Sequence, residues 1–152
     1  MRTPACLVIA LCSILFMGAG CVHTTQGNPV PDGFARYTDA QETRAVSPEG
    51  VTYRVRSEAN KPYADLPFWK EALKKRMLDA GYLFLREATV TADNREGYLL
   101  ELTAPYGQQD DTYLMAVFAL EKKIVIVEAA GEVNQLAARR KDIIAAIERL
   151  KF

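Results

Sequence analysis

Tyr98-Leu99-Leu100-Glu101-Leu102-Thr103-Ala104, then Thr112-Tyr113-Leu114-Met115-Ala116-Val117-Phe118-Ala119-Leu120, then Ile124-Val125-Ile126-Val127-Glu128-Ala129-Ala130 form the stretch that decides the fold. Each run is apolar, rich in aliphatic and aromatic side chains, and bounded by turn residues, which reads as a strand. A fourth run, 82–91, comes just before them. Asp93-Asn94-Arg95-Glu96-Gly97 is a turn by composition, and Pro105-Tyr106-Gly107 opens another. Lys122-Lys123 lacks the Gly or Asn of a tight type I′ turn, so the last hairpin needs a longer loop. Connections this short hold no crossover helix, and the sheet is therefore antiparallel.

The pattern extends outward from there. Val51, Tyr53 and Val55 alternate with Thr52, Arg54 and Arg56, giving a further half-buried strand. Asp65 is placed to cap a helix, with Pro67 tolerated in its first turn. Trp69, Leu73 and Met77 then recur on one face, and Gly81 ends the helix at C′. A final helix over 132–150 carries Leu136, Ile143, Ile147 and Leu150 on one stripe, widened by Ile144 and Ala146. The expected fold is α+β: an antiparallel sheet of about five to six strands packed against two helices, within 48–152. At about 105 residues such a domain buries roughly two-thirds of its unfolded surface. It contains no repeat and no second linker.

Upstream, 21–47 is dominated by Thr, Gln, Gly, Asn, Pro and Asp, with a short strand expected at 34–37. Residues 23–33 carry too little apolar surface to offset chain entropy, and 21–47 as a whole, with Cys21 at its start, reads as a flexible tether. A flexible segment of that kind spans on the order of 25 to 30 Å. Residues 1–20 have a different character. One positive side chain, Arg2, precedes an almost unbroken apolar run from Ala5 to Met17, followed by small residues, which is the layout of a signal peptide.

Gly18-Ala19-Gly20-Cys21 resembles the lipobox of bacterial lipoproteins, although Gly18 stands where that family prefers Leu, Val or Ile. The resemblance implies cleavage before Cys21 and acylation of its thiol and new amino terminus. Two other readings of the stretch are an ordinary secretory signal and a retained helix. The apolar run is shorter than the roughly 18 to 20 residues of a spanning helix and has no basic flank after it. Two or three acyl chains, at about 0.8 kcal/mol per buried CH₂, hold a protein on the bilayer almost permanently. Cys6 and Cys12 leave with the signal, so no disulfide supports the mature fold. Val22 and His23, rather than Asp, follow the cysteine. In bacteria with two membranes this implies delivery to the outer membrane, facing the periplasm.

The element order of 48–152 also looks like the PsbP-like superfamily. The resembling features are the helix with Trp69, the strand Gly97-Tyr98-Leu99-Leu100-Glu101, and Ile124-Val125-Ile126-Val127-Glu128-Ala129 before the last helix. Members are mostly accessory binders rather than enzymes, which implies a non-catalytic role. No functional residue transfers with the resemblance.

The chemistry-bearing side chains are few. His23 is the only histidine and stands two residues from Cys21, so the domain has no imidazole for a Ser-His-Asp or Cys-His arrangement. Zinc and copper sites want clustered His and Cys. Gln108-Gln109-Asp110-Asp111 lacks the spacing of a calcium loop, and no glycine-rich run precedes a helix to cradle phosphate. No cofactor is therefore expected. Glu71 with Asp79, or Glu101 with Glu128, are the carboxylate pairs that glycoside chemistry would need. Glu101 and Glu128 are expected at the solvent face or edge of the sheet.

Lys70, Lys74, Lys75 and Arg76, and again Arg139-Arg140-Lys141, read as solvated helix faces, with Glu71 and Lys75 paired at i,i+4. A formal net charge of zero, about −1 once Arg2 is removed, offers no field for nucleic acid. Tyr106, Asp110, Asp111 and Tyr113, at one end of the meander, are the candidate partner-binding residues, because tyrosine at a loop rim combines area with a polar tip.

Two classes of function stand against each other. One is a lipid-anchored, non-catalytic accessory domain whose partners are the bilayer, through Cys21, and a cell-envelope protein. The other is a small-ligand binder or a hydrolase built on carboxylates. A deep pocket lined by acids of raised pKa would favour the second.

Overall fold

The computed structural model describes residues 27–38, 42–104 and 111–152. Seven strands and two helices follow in the order β1 (Ala35–Arg36), β2 (Thr43–Val46), β3 (Thr52–Ala59), α1 (Leu66–Asp79), β4 (Leu83–Ala92), β5 (Arg95–Ala104), β6 (Asp111–Ala119), β7 (Lys123–Glu132) and α2 (Val133–Glu148). They build one fully antiparallel sheet in the order β1-β2-β3-β7-β6-β5-β4. The α+β class and the antiparallel sheet are as expected. The strand count is seven rather than five to six, because β2 comes from residues whose composition read as tether; β1 falls within the short strand expected at 34–37.

The helices lie on opposite faces of the sheet. Leu73 of α1, with Trp69 and Met77, packs on Tyr98, Leu100, Leu102, Met115, Val117, Ile124 and Ile126. Leu136, Ile143, Ala146 and Ile147 of α2 pack on Val55, Leu99, Leu114, Ala116, Phe118 and Val127. Alternate residues of each central strand thus feed two separate cores, which is why β5 to β7 read as nearly continuous apolar runs. Among the described residues no helix is long and apolar enough to cross a membrane.

Local chemistry sets the element ends. The Asp65 carboxylate accepts from the Phe68 amide at 3.0 Å and caps α1, and Gly81 closes it at φ +91°. Glu132 caps α2 by accepting from the amides of Asn134 and Gln135. Asp93 and Asn94 both have positive φ, making a two-residue turn, so Arg95–Gly97 belong to the ladder rather than to a longer turn. Between β6 and β7 the loop is indeed longer than two residues, closed by the Leu120 amide on the Lys123 carbonyl at 2.9 Å. Gly97 is required on β5, since a Cβ there would meet the Phe118 ring at 2.5 Å.

Residues 28–34 are packed rather than free. Phe34 is buried in the α2-side core and meets Tyr53 edge-on at 6.4 Å, and Val30 packs against the same core. Arg149 donates to the Val30 carbonyl at 3.0 Å. Composition missed this because only two of these side chains are large and apolar. Pro31 is buried beside them.

Beneath this segment the Tyr53 hydroxyl is buried without a hydrogen-bond partner among the described residues, and burial pushes its pKa up. An unpaired buried hydroxyl costs about 1 to 3 kcal/mol. Tyr53→Phe should therefore leave the urea midpoint unchanged or raise it. A loss above about 1 kcal/mol would show that the hydroxyl is satisfied in solution.

Candidate functional site

α1 covers the β5–β6 side of its face and leaves the β2–β3–β7 side open. There the strand faces form a groove of about 880 Å³ lined by Tyr37, Arg44, Arg54, Tyr113, Glu128 and neighbouring backbone. The period of two that buries Tyr53 and Val55 on the α2 side projects Thr52, Arg54 and Arg56 onto this face. Glu128 and Tyr113 project from β7 and β6 by the same alternation.

A chain of ion pairs runs through Arg54 and Glu128 of the groove lining and on to residues beside it. Arg54 grips Glu42 with two nitrogens, at 2.7 and 3.1 Å. Arg56 grips Glu128 at 3.1 and 3.4 Å and also pairs with Glu58. Arg54 stands 3.6 Å from Glu128, and the Tyr113 hydroxyl donates to Glu128 at 2.7 Å. The hydrogen bond from Arg54 holds the Glu42 carboxyl below the usual carboxylate range. Burial, and then the bond to Glu128, push the Tyr113 phenol well up. Bidentate guanidinium–carboxylate pairs are directional and fix the side chains before anything binds. Accessible at the rim are Arg44, whose ion-pair partner Glu42 is 3.6 Å away, and the exposed Tyr37 ring, with Arg36, Thr38 and Thr52 exposed beside them.

Of the residues chosen from sequence, Tyr113 lies on this groove, half-buried, with its ring 5.5 Å from that of Tyr82. Asp111 opens β6, opposite Ala104 and Glu132, and does not line the groove. Cys21, Tyr106 and Asp110 lie outside the described residues. Glu42, Arg44 and Arg54 were not singled out: Glu42 just precedes β2, Arg44 lies on β2 and Arg54 on β3, with no motif spacing to mark them.

Glu101 corrects an expectation. It is 3% exposed, not at a solvent face. It lies on the α2 side of β5, whereas Glu128 lies on the α1 side of β7, so the sheet separates the two carboxylates. Arg86 of β4 reaches Glu101 at 2.7 Å, and Arg140 of α2 donates to it at 2.9 and 2.7 Å. Burial alone would raise its pKa, but the two guanidinium groups hold it below the normal value. Arg140 is thus a clamp between helix and sheet rather than part of a solvated face.

The other basic cluster is also engaged. Lys74 at 2.7 Å, Tyr98 at 2.8 Å and Lys70 at 3.2 Å surround Glu87 and draw its pKa down to about 2. Lys75 pairs with Asp79 rather than Glu71. Among the described residues no group of three or more His, Cys, Asp or Glu is placed to hold a metal ion. Compared with protein-family models and with curated protein sequences, the chain matches none.

Proposed function

We propose that this chain is a bacterial envelope lipoprotein, anchored through acylated Cys21, whose domain is a non-catalytic accessory module that binds a cell-envelope protein. On this reading residues 1–20 are removed. Val22 and His23 direct the protein to the outer membrane of a two-membrane bacterium, facing the periplasm. The domain is PsbP-like in arrangement, and the accessory role common in that group fits it. One observation carries the reading: Glu128, the carboxylate of the groove lining, and Glu42, which pairs with the lining residue Arg54, are both tied to guanidinium groups. A groove of this kind is organised to hold a surface against it rather than to take up a proton. Its volume also lies within the range of small-molecule sites, which favours small-ligand binding as the second reading.

Two measurements test the proposal in cells. Cys21→Ser should abolish labelling by a palmitate analogue and release the chain from the membrane fraction; undiminished labelling would remove the lipoprotein reading. A photo-cross-linker at Tyr37 should capture one envelope protein, and Arg44→Glu should abolish that capture while the domain stays folded. Capture that is indifferent to Arg44→Glu would remove the groove from the interface. Absence of any protein adduct, with a small molecule co-purifying, would favour the second reading.

A further inference from the structure

The chain enters the domain near the carboxyl end of α2, with Arg36 also donating to the Asn28 carbonyl. Gly27, Asn28 and Pro29 lie beside Arg149 and Lys151, just past the end of α2. Lys151 and the Phe152 amide are held by Asp93, in the β4–β5 turn, both at 3.2 Å. The same end of the sheet carries the β6–β7 turn and the segment from β3 to α1, joined by the Asn60 amide on the Lys122 carbonyl at 3.1 Å. Gly27 is six positions after Cys21. Even fully extended, that length reaches only about 20 Å. A lipid on Cys21 would keep this end close to the headgroups.

This end also exposes the aromatic side chains such a position calls for. Tyr63 is 69% and Phe68 56% exposed, next to exposed Pro62. Trp69 stands behind Phe68, edge-on at 5.6 Å. The same end of the sheet carries exposed Lys61, Arg95, Lys122 and Lys123, against exposed Glu96, Glu121 and Glu148. Asp65 caps α1, Asp93 is paired with Lys151, and Asp32 with Arg149. With charge this evenly balanced, aromatic insertion rather than attraction to anionic lipid is the dominant contact. Amphipathic rings at the headgroup level, with lysine stems alongside, are the side chains that favour a bilayer interface.

We propose that the end of the domain bearing Tyr63 and Phe68 rests on the bilayer surface, with both rings seated among the headgroups. This rests on the reading of Cys21 as lipidated. The groove, built around Thr52, Ala130 and Tyr113 at the opposite end of the sheet, then opens away from the membrane.

Trp69 is the chain's single tryptophan and reports on this contact. The acylated full chain is reconstituted into phosphatidylethanolamine–phosphatidylglycerol vesicles containing lipid brominated near the glycerol end of its acyl chains. Bromolipid should quench Trp69 emission relative to unbrominated vesicles, and the quenching should survive high salt. The double variant Tyr63→Ser, Phe68→Ser should float with the vesicles as well as the parent but lose the quenching. A parent chain that floats without being quenched overturns the docking and leaves the anchor standing. Quenching abolished by salt overturns the aromatic seating. A chain that does not float overturns the anchor and the docking with it.

Discussion

Replacing Asn60 with alanine should cost the domain about 3 to 4 kcal/mol, at roughly 1 kcal/mol for each hydrogen bond lost. Asn60 is only 3% exposed and sits between the end of β3 and the entry to α1. Its side-chain amide donates to the carbonyls of Ala64 and Leu120, both at 2.9 Å. Its side-chain oxygen accepts from the Ala64 amide and the Trp69 indole, both at 3.0 Å. Every polar atom of the side chain is used, and three pieces of backbone depend on it. Truncation strands four partner groups at once, around a side chain that is itself almost fully buried. Trp69→Phe removes one of these bonds and keeps most of the ring, so it should cost about 1 kcal/mol. The two changes share a partner and should be less than additive. Urea unfolding of the three variants measures this. A loss below about 1 kcal/mol for Asn60→Ala would mean that solvent already reaches the site.

The Glu101 clamp predicts a change of sign as well as of size. With Arg86 and Arg140 in place, the folded-state pKa of Glu101 lies below its unfolded value. The group therefore contributes stability above the unfolded pKa, and that stability is lost as pH falls through the folded one. Replacing both arginines with methionine leaves only burial, which raises the pKa. The contribution of Glu101 should then be largest below the unfolded pKa and disappear as pH rises through the folded value. At neutral pH the double variant should lose about 3 to 5 kcal/mol, the usual result of leaving a buried charge without a partner. Adding Glu101→Leu should recover most of that loss, since a well-packed apolar replacement removes the charge itself. Chemical denaturation from pH 3 to 8 tests both statements. An unchanged sign of the pH slope in the double variant would rule out burial as the opposing influence on Glu101.

The centre of this fold was legible because two cores write an unmistakable pattern. Leu99-Leu100 and Ile124-Val125-Ile126-Val127 are apolar at every position because a helix lies on each side of them. The helix boundaries were legible from Asp65 and Gly81, whose capping roles need only local geometry. The edges were less so. Thr43–Val46 is short and half polar and does not declare itself without the sheet it joins; the short strand at 34–37 was legible, but the packing of Val30 and Phe34 on the α2-side core, among Pro, Asp and Gly, was not. The burial of Glu101 was hidden for another reason: its counterions stand 15 residues before and 39 after it, a relation that register and helix placement create. The groove is hidden in the same way. Alternation placed Arg54 and Arg56 on the face opposite Tyr53, but not the acids from β7 and the β2 approach that meet them there.

The β3–β7 ladder has a kinetic consequence. Thr52 lies against Ala130, 78 positions later, whereas β4, β5 and β6 pair only with immediate neighbours in the chain. Closing a loop that long costs entropy before any contact repays it, so the local meander has the head start in folding. A polypeptide that emerges amino terminus first must carry β1 to β3 with only one another to pair with, and one edge of β3 open, until almost all of its length is free. During that interval Val51, Tyr53 and Val55 present an apolar strand with an open edge, the kind of segment that joins neighbouring chains. The window for aggregation closes only when β7 arrives, and a holding chaperone would do most good before that moment.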